Sequence, residues 1–147
     1  MTAPLRFTFD VACPPDHAFT VWTSKLVTWW PRDHTVSGEP EEIVLEHGPG
    51  GRIYERTADG DQHDWGEVLV WEPPRRLSYL WHIGRARATA TEVDITFVGD
   101  GATRTRVEIV HSGWDELGDA AADRRDGNRA GWEAVLPHYR AAIGEGA

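Results

Sequence analysis

Apolar and polar residues alternate along several segments of this chain, the period-two pattern that is typical of a half-buried β-strand. The clearest case is the pair Thr91–Val98 and Arg104–His111, which are separated by Gly99-Asp100-Gly101. In both segments the apolar residues share one face and the charged residues share the other. This pattern predicts an antiparallel hairpin with one side in water. Five further strands are predicted at Leu5–Val11, Ile43–His47, Arg52–Thr57, Trp65–Trp71 and Leu77–Ile83.

A period near 3.6 residues predicts helices at three places. Pro14 and Pro15 end the first strand, and His17–Thr23 then carries apolar residues at helical spacing. A short second helical turn is predicted over Lys25–Trp30, where Pro31 ends it. The long C-terminal helix is predicted from the apolar positions Trp132, Val135, Leu136, Tyr139 and Ile143.

The sequence predicts a kink inside the C-terminal helix and an irregular segment before it. Pro137 lies inside it and is expected to kink it. The preceding segment, Ser112–Asp126, is acidic and is predicted to be irregular, with room for a helical turn.

The order of elements predicts an α+β fold. One strand and two short helices come first, followed by about six strands and one long amphipathic helix. A sheet with a single apolar face needs a cover, and the apolar stripe of the C-terminal helix supplies one. We therefore expect a curved antiparallel sheet of about six or seven strands wrapped around that helix, and the space between them is the candidate site.

Composition narrows the class of protein. A chain of 147 residues is expected to form a single domain over residues 1–147, with a core that needs no disulfide or metal. Its net charge of −9 argues against nucleic acid and anionic membranes as partners. Cys13 is the single cysteine, which excludes an internal disulfide. No targeting segment or run of about 18 apolar residues is present, so a cytoplasmic location is expected.

Tryptophan is unusually frequent, with eight residues in a small chain. An indole offers a large flat apolar face and one N–H donor, which suits the wall of a ligand cavity as well as a packed core. Both interpretations stay open from the sequence. The tryptophans are Trp22, Trp29, Trp30, Trp65, Trp71, Trp81, Trp114 and Trp132.

Five short motifs, each weak alone, form an ordered set over nearly the whole chain. They are Val11-Ala12-Cys13-Pro14-Pro15 with Phe19 and Trp22, Trp29-Trp30-Pro31, Pro49-Gly50-Gly51-Arg52, Gly66-Glu67-Val68 with Glu72-Pro73-Pro74-Arg75-Arg76-Leu77-Ser78-Tyr79, and Gly101-Ala102-Thr103-Arg104-Thr105 with His111-Ser112-Gly113-Trp114. This set resembles the START-like (SRPBCC, Bet v 1-like) superfamily, and most closely its branch named after the activator of the heat-shock-protein-90 ATPase. The resemblance implies the helix-grip fold, with two short helices after the first strand and a cavity between sheet and helix.

The candidate ligand-binding residues are those expected on the covered face of the sheet, on the apolar stripe of the helix and at the mouth. Trp29 and Trp30 are placed at the mouth because the second helix of the fold flanks it. The full set is Trp29, Trp30, Tyr79, Trp81, Val93, Ile95, Phe97, Ile109, His111, Trp132, Leu136 and Tyr139.

Three polar residues are weak candidates for proton transfer: Glu67, Tyr79 and His111. A buried acid or base beside an aromatic cavity has a pKa shifted by desolvation and can act in general acid–base catalysis. Glu67 faces the cavity only if Leu69 and Trp71 also point inward, whereas Val68 and Val70 favour the opposite orientation. The seven histidines show no metal-ligand spacing, and no nucleotide-binding motif is present, so neither a metal nor a cofactor is expected.

Three functions therefore remain open. The leading one is a binding protein for an apolar, aromatic or acyl small molecule. The second is an enzyme of the cyclase/aromatase type that acts in the same cavity. The third is a cochaperone-like or stress-related module that binds a protein partner through its acidic surface.

Overall fold

The computed structural model describes residues 2–146 and contains ten principal elements. The strands are β1 (Leu5–Val11), β2 (Glu42–Leu45), β3 (Arg52–Arg56), β4 (Gln62–Glu72), β5 (Arg76–Trp81), β6 (Thr91–Gly99) and β7 (Thr105–Ser112). The α-helices are α1 (Pro15–Ser24), α2 (Leu26–Trp29) and α3 (Ala121–Gly146). Short 3-10 segments lie at Arg32–His34, Arg87–Thr89 and Trp114–Ala120.

The seven strands form one sheet in the order β1-β7-β6-β5-β4-β3-β2, and each neighbouring pair is antiparallel. The first strand joins the edge beside the last one, where Leu5 lies opposite His111. The sheet curves around the long helix α3. This arrangement confirms the α+β helix-grip fold with two short helices after the first strand.

Two register shifts on β4 explain why its orientation could not be read from alternation. The pairing with β3 slips at Trp65, and the pairing with β5 slips at Leu69. Each β-bulge adds one residue and reverses the alternation. As a result Trp65 and Val68 are both buried, and Trp71 packs against the same core.

Helix α3 begins earlier than the sequence predicts. Gly118, with φ at 61°, breaks the 3-10 segment, and the α-helix starts at Ala121. The acidic residues Asp119 and Asp123 lie at this end, where a carboxylate favourably meets the positive end of the helix dipole. The prediction of an irregular Ser112–Asp126 is therefore wrong in its last six residues. The helix continues through Pro137 to Gly146, and the kink at Pro137 stays a prediction.

Indole rings fill the centre of the space between sheet and helix. Trp22 and Trp65 are 1% and 0% exposed, and the gap left beside them holds only about 10 Å³. A single water molecule needs at least about 10–15 Å³ of such volume. The middle of the grip is therefore a packed core, and a cavity for a ligand must lie elsewhere.

Tyr139 joins α3 to α1 within this core. Its hydroxyl donates a hydrogen bond of 2.8 Å to the carbonyl oxygen of Ala18, and its ring lies 4.8 Å from that of Trp22. No helix within residues 2–146 combines the length and the apolar character needed to cross a bilayer.

Candidate functional site

A cavity of about 290 Å³ lies at one end of the grip, between the end of β5, the segment that follows it and the first half of α3. Its walls are mixed, with three indoles on one side and polar groups near the mouth. The lining residues are Trp30, His34, Trp81, Ile83, Arg85, Asp123, Arg124, Gly127, Asn128, Gly131, Trp132 and Val135.

Trp30, Trp81 and Trp132 form the aromatic wall of the cavity. The rings of Trp30 and Trp81 lie 5.7 Å apart between centroids, in a tilted arrangement typical of stable aromatic pairs. The indole Nε1 of Trp30 donates to the carbonyl oxygen of His34 at 3.0 Å. This bond holds the ring in place, so the wall is formed before any ligand arrives.

The third wall residue, Trp132, is held by His111. Its Nε1 donates to Nδ1 of His111 at 2.9 Å, so Nδ1 carries no proton. Nε2 of His111 then carries the proton and donates to Oγ1 of Thr91 at 2.6 Å. Oγ1 of Thr91 donates in turn to the carbonyl oxygen of Trp81, at 3.4 Å. The chain of bonds joins the indole of Trp132 to the backbone of Trp81 through one neutral histidine.

His111 is fully buried, and its burial lowers its pKa from 6.5 to about 3, with a further contribution from the charge of Arg124. Both ring nitrogens are occupied by protein groups. His111 is therefore a positioning residue for Trp132 and has no free nitrogen with which to exchange a proton with a ligand.

The helical side of the cavity lacks side chains at two positions one turn apart, Gly127 and Gly131. A Cβ built at either glycine meets no atom within 4 Å. Glycine inside a helix is less favourable than alanine by about 1 kcal/mol, so each position lowers the stability of α3. The benefit is open volume against the indole wall.

Nine of the twelve lining residues were not among the predicted ones, and Arg124 is the charged residue among them that is buried. Its side chain is 9% exposed, and its Nε has no hydrogen-bond partner in the described part of the chain. Burial, followed by the nearby charge of Arg85, lowers its pKa. The available signal was the pair Gly127 and Gly131, because two glycines one turn apart beside Trp132 mark a helix face that borders open space.

The structure brings three of the twelve predicted ligand-binding residues to the cavity, namely Trp30, Trp81 and Trp132. The other nine lie outside its lining and are packed in the core. They are Trp29, Tyr79, Val93, Ile95, Phe97, Ile109, His111, Leu136 and Tyr139.

The three catalytic candidates are in different places. Glu67 is partly exposed and forms an ion pair with Arg87 at 2.8 Å, and it does not border the cavity. Tyr79 is buried, and its burial raises the pKa of the phenol although a hydrogen bond with Trp22 opposes the shift. The hydroxyl therefore stays protonated. Within residues 2–146 no three His, Cys, Asp or Glu side chains are grouped so that they could hold a metal ion.

Comparison with known proteins assigns this arrangement to a class. The fold is the helix-grip type, with a curved antiparallel sheet around a long C-terminal helix. The model of the family described as "Activator of Hsp90 ATPase homolog 1-like protein" matches residues 12–143. This chain belongs to that family, which confirms the resemblance inferred from its motifs. A search of curated proteins found no match.

Solved structures of similar proteins include one synthase and one resistance protein. The anthrahydroquino-gamma-pyrone synthase Txn09 is 34% identical, with 82% of this chain and 83% of that chain covered and a TM-score of 0.60. The self-sacrificing resistance protein CalC from Micromonospora echinospora is 26% identical, with 99% and 97% covered and a TM-score of 0.74. The Aha1 dimer from Colwellia psychrerythraea is 17% identical, with 96% of both chains covered and a TM-score of 0.66, which shows the fold alone.

Proposed function

We propose that this protein binds an aromatic small molecule in the cavity bounded by Trp30, Trp81 and Trp132. The observation that carries the proposal is the pairing of a rigid indole wall with the open face of α3 at Gly127 and Gly131. A flat ring fits between two such surfaces, because it stacks on indole and needs no side chain on the opposite side.

The size of the cavity favours a small ligand. Its volume of about 290 Å³ is at the lower end of the range for small-molecule sites, about 300–1,000 Å³. An engineered protein cavity of about 150 Å³ holds one benzene ring. A compound of about two fused rings therefore matches the available space.

The similar proteins support an aromatic ligand. Txn09 is named for an anthrahydroquino-gamma-pyrone, and such a compound is aromatic by its chemical name. At 34% identity over most of both chains, that protein is a reasonable guide to the ligand class of this one. The ligand itself is argued from the cavity of this chain.

We propose binding in preference to turnover because of where two residues that the sequence suggested for catalysis are placed. His111 uses both ring nitrogens within the protein, and Glu67 pairs with Arg87 away from the cavity lining. A general acid or base must come within hydrogen-bond reach of the reacting group. Neither residue meets that condition.

Thermal shift and native mass spectrometry with a panel of one-, two- and three-ring aromatic compounds test the proposal. We expect two-ring compounds to raise the melting temperature and to appear as a bound mass. The key variant is Gly131→Leu, which places a side chain in the cavity while leaving α3 helical. Its matched control is Ala130→Leu, the neighbouring exposed position of the same helix.

Gly131→Leu should abolish the ligand-induced shift, while Ala130→Leu should keep it. In the absence of ligand, Gly131→Leu should melt no lower than the natural protein, because leucine favours the helix over glycine, and Ala130→Leu should melt close to it, because alanine and leucine are both good helix formers. Equal ligand shifts for the two variants would show that binding occurs outside this cavity. If no compound of the panel raises the melting temperature of the natural protein or appears as a bound mass, the proposal is wrong.

A further inference from the structure

A buried positive charge lies in the lining of the cavity without a counter-ion. Arg124 is nine-tenths buried, its Nε has no partner, and its Nη2 donates only one long bond of 3.3 Å, to the carbonyl oxygen of Thr89. Within the described residues it forms no ion pair with a carboxylate. A buried guanidinium is costly unless it is paired and hydrogen-bonded. The missing partner is therefore a specific requirement of this cavity.

Two of the three indole donors of the wall are already used. Nε1 of Trp30 binds the carbonyl oxygen of His34, and Nε1 of Trp132 binds Nδ1 of His111. A ligand that enters the cavity thus meets Nε1 of Trp81 and the guanidinium of Arg124, whose Nε is enclosed by protein and is reached by a ligand only if the side chain shifts.

The other two charged residues that border the cavity are Arg85 and Asp123, which are opposite in sign. The charge of Arg85 contributes to lowering the pKa of Arg124. Both Arg85 and Asp123 are exposed, where water and salt screen their charges. A negative group beside the buried Arg124 is screened far less and is favoured there.

The protein itself shows which anion suits the unused edge of Arg124. On the solvent-facing side of the sheet, Arg76 presents Nε and Nη2 to the two carboxylate oxygens of Asp94, and both distances are 3.0 Å. The same edge of Arg124 contains the unpartnered Nε and the weakly bound Nη2. Such two-point geometry is specific for planar anions and is stronger than a single contact.

We propose that the ligand of this cavity is an aromatic carboxylate of about two fused rings, whose carboxylate accepts hydrogen bonds from Arg124 while its rings stack on the tryptophan wall. This inference rests on the proposed function, because it adds the charged group to a ligand already placed in the cavity. It also explains why α3 keeps a buried arginine next to two glycines.

Isothermal titration calorimetry with 2-naphthoate and 2-naphthamide tests the inference directly. The two compounds have nearly the same shape, but only naphthoate is charged at neutral pH. We expect the natural protein to bind naphthoate at least about tenfold more tightly, since hydrogen bonds to charged groups contribute more than neutral ones.

Variants then assign the difference to one side chain. Arg124→Gln should reduce naphthoate affinity to that of naphthamide and leave naphthamide unchanged. Arg124→Lys should fall between, because lysine keeps the charge and lacks the planar fork. Arg129→Gln is the matched control, since Arg129 is exposed on the same helix and does not border the cavity. Melting curves without ligand verify that each variant is folded. If Arg124→Gln does not fold, Arg124→Lys serves as the test.

The outcomes separate this inference from the proposed function. Equal affinities for both compounds, unchanged by Arg124→Gln, would mean that water satisfies the guanidinium. The proposal of a carboxylate on the ligand would then be wrong, and the proposal that the cavity binds an aromatic compound would remain. If other aromatic compounds of the panel bind and neither two-ring compound does, the ligand class is also wrong. If no aromatic compound binds at about 1 mM, both proposals fail, because the binding free energy would then be weaker than about 4 kcal/mol.

Discussion

Trp132 and His111 are joined by a hydrogen bond of 2.9 Å that runs from the indole to Nδ1 of the imidazole. This direction allows only the neutral form of His111, because a protonated Nδ1 would oppose the indole N–H. Protonation of His111 would therefore break the bond that holds one wall of the cavity. Burial and the charge of Arg124 lower the pKa of His111 to about 3, which favours the same neutral form.

The first prediction concerns stability in acid. In the unfolded chain His111 titrates near 6.5, and in the folded protein near 3, so between these values the unfolded state binds more protons. Stability should be complete above about pH 6.5 and should fall by a few kcal/mol as the pH approaches 3. His111→Asn keeps an acceptor but does not titrate, so its melting temperature should depend less on pH over this window. Identical pH profiles for the two proteins would contradict the neutral assignment.

The second prediction concerns Glu55, a fully buried carboxylate that holds the loop after α2. It accepts hydrogen bonds from the backbone N–H groups of Val36 and Ser37 at 2.6 and 3.0 Å, and from Nε1 of Trp65 at 2.8 Å. Burial would raise its pKa, but these bonds and one from the Ser37 hydroxyl outweigh burial and lower it. Glu55→Gln presents a donor where an acceptor is needed and should cost about 2–3 kcal/mol in urea unfolding.

The stabilisation by Glu55 has a defined pH range. Because its pKa is lower in the folded protein, its contribution is present above the unfolded value, near 4.5, and is lost as the pH falls below it. Glu42→Gln is the control. Glu42 is exposed and forms a surface ion pair with Arg56, so its loss should cost less than about 1 kcal/mol. Similar costs for both substitutions would argue against the role of Glu55.

The third prediction compares two glycines. Gly131→Ala adds a Cβ where no atom lies within 4 Å, and we expect it to raise the free energy of unfolding by up to about 1 kcal/mol. Gly66→Ala should do the opposite, because its Cβ would lie 1.9 Å from the carbonyl oxygen of Leu80 in the neighbouring strand. We expect a loss of more than about 2 kcal/mol there. Denaturant titration of both variants measures the difference in sign.

The fourth prediction concerns Glu67, which sequence reasoning put forward for catalysis. It forms a surface ion pair with Arg87, whose side chain is 63% exposed, and such pairs contribute little to stability. Glu67→Gln should change the free energy of unfolding by less than about 1 kcal/mol and leave naphthoate affinity unchanged. A clear loss of binding would place Glu67 at the site after all.

The fold was accessible from the sequence because its strongest signals are local. The alternation in Thr91–Val98 and Arg104–His111 reports directly which face is buried, and the structure pairs these segments as β6 and β7. β4 was less accessible, since its two bulges reverse an alternation that nothing in the local sequence marks. Its orientation depends on how β3 and β5 pair with it.

The position of the cavity could not be read from residue types. Trp22 and Trp65 fill space, whereas Trp30 and Trp81 each pack in the core and also border the cavity, and all four are tryptophan in a pattern of apolar positions. Which ring borders open volume depends on the fit of neighbours from five or more elements. Arg124 was missed because a charged residue in an acidic segment is ordinarily solvated, and its burial arises only from the docking of α3.

The sheet order has a consequence for how the chain reaches this structure. β1 pairs with one strand only, β7, so Leu5 at the edge of the sheet gains its partner only when His111 is available. Closing so long a loop is costly in chain entropy, and folds rich in such distant pairings form slowly. The hairpin of β6 and β7 is local and needs no such closure. We therefore expect it to form early, with Leu5–Val11 adding to its edge late, so that the first strand synthesised is among the last to be folded.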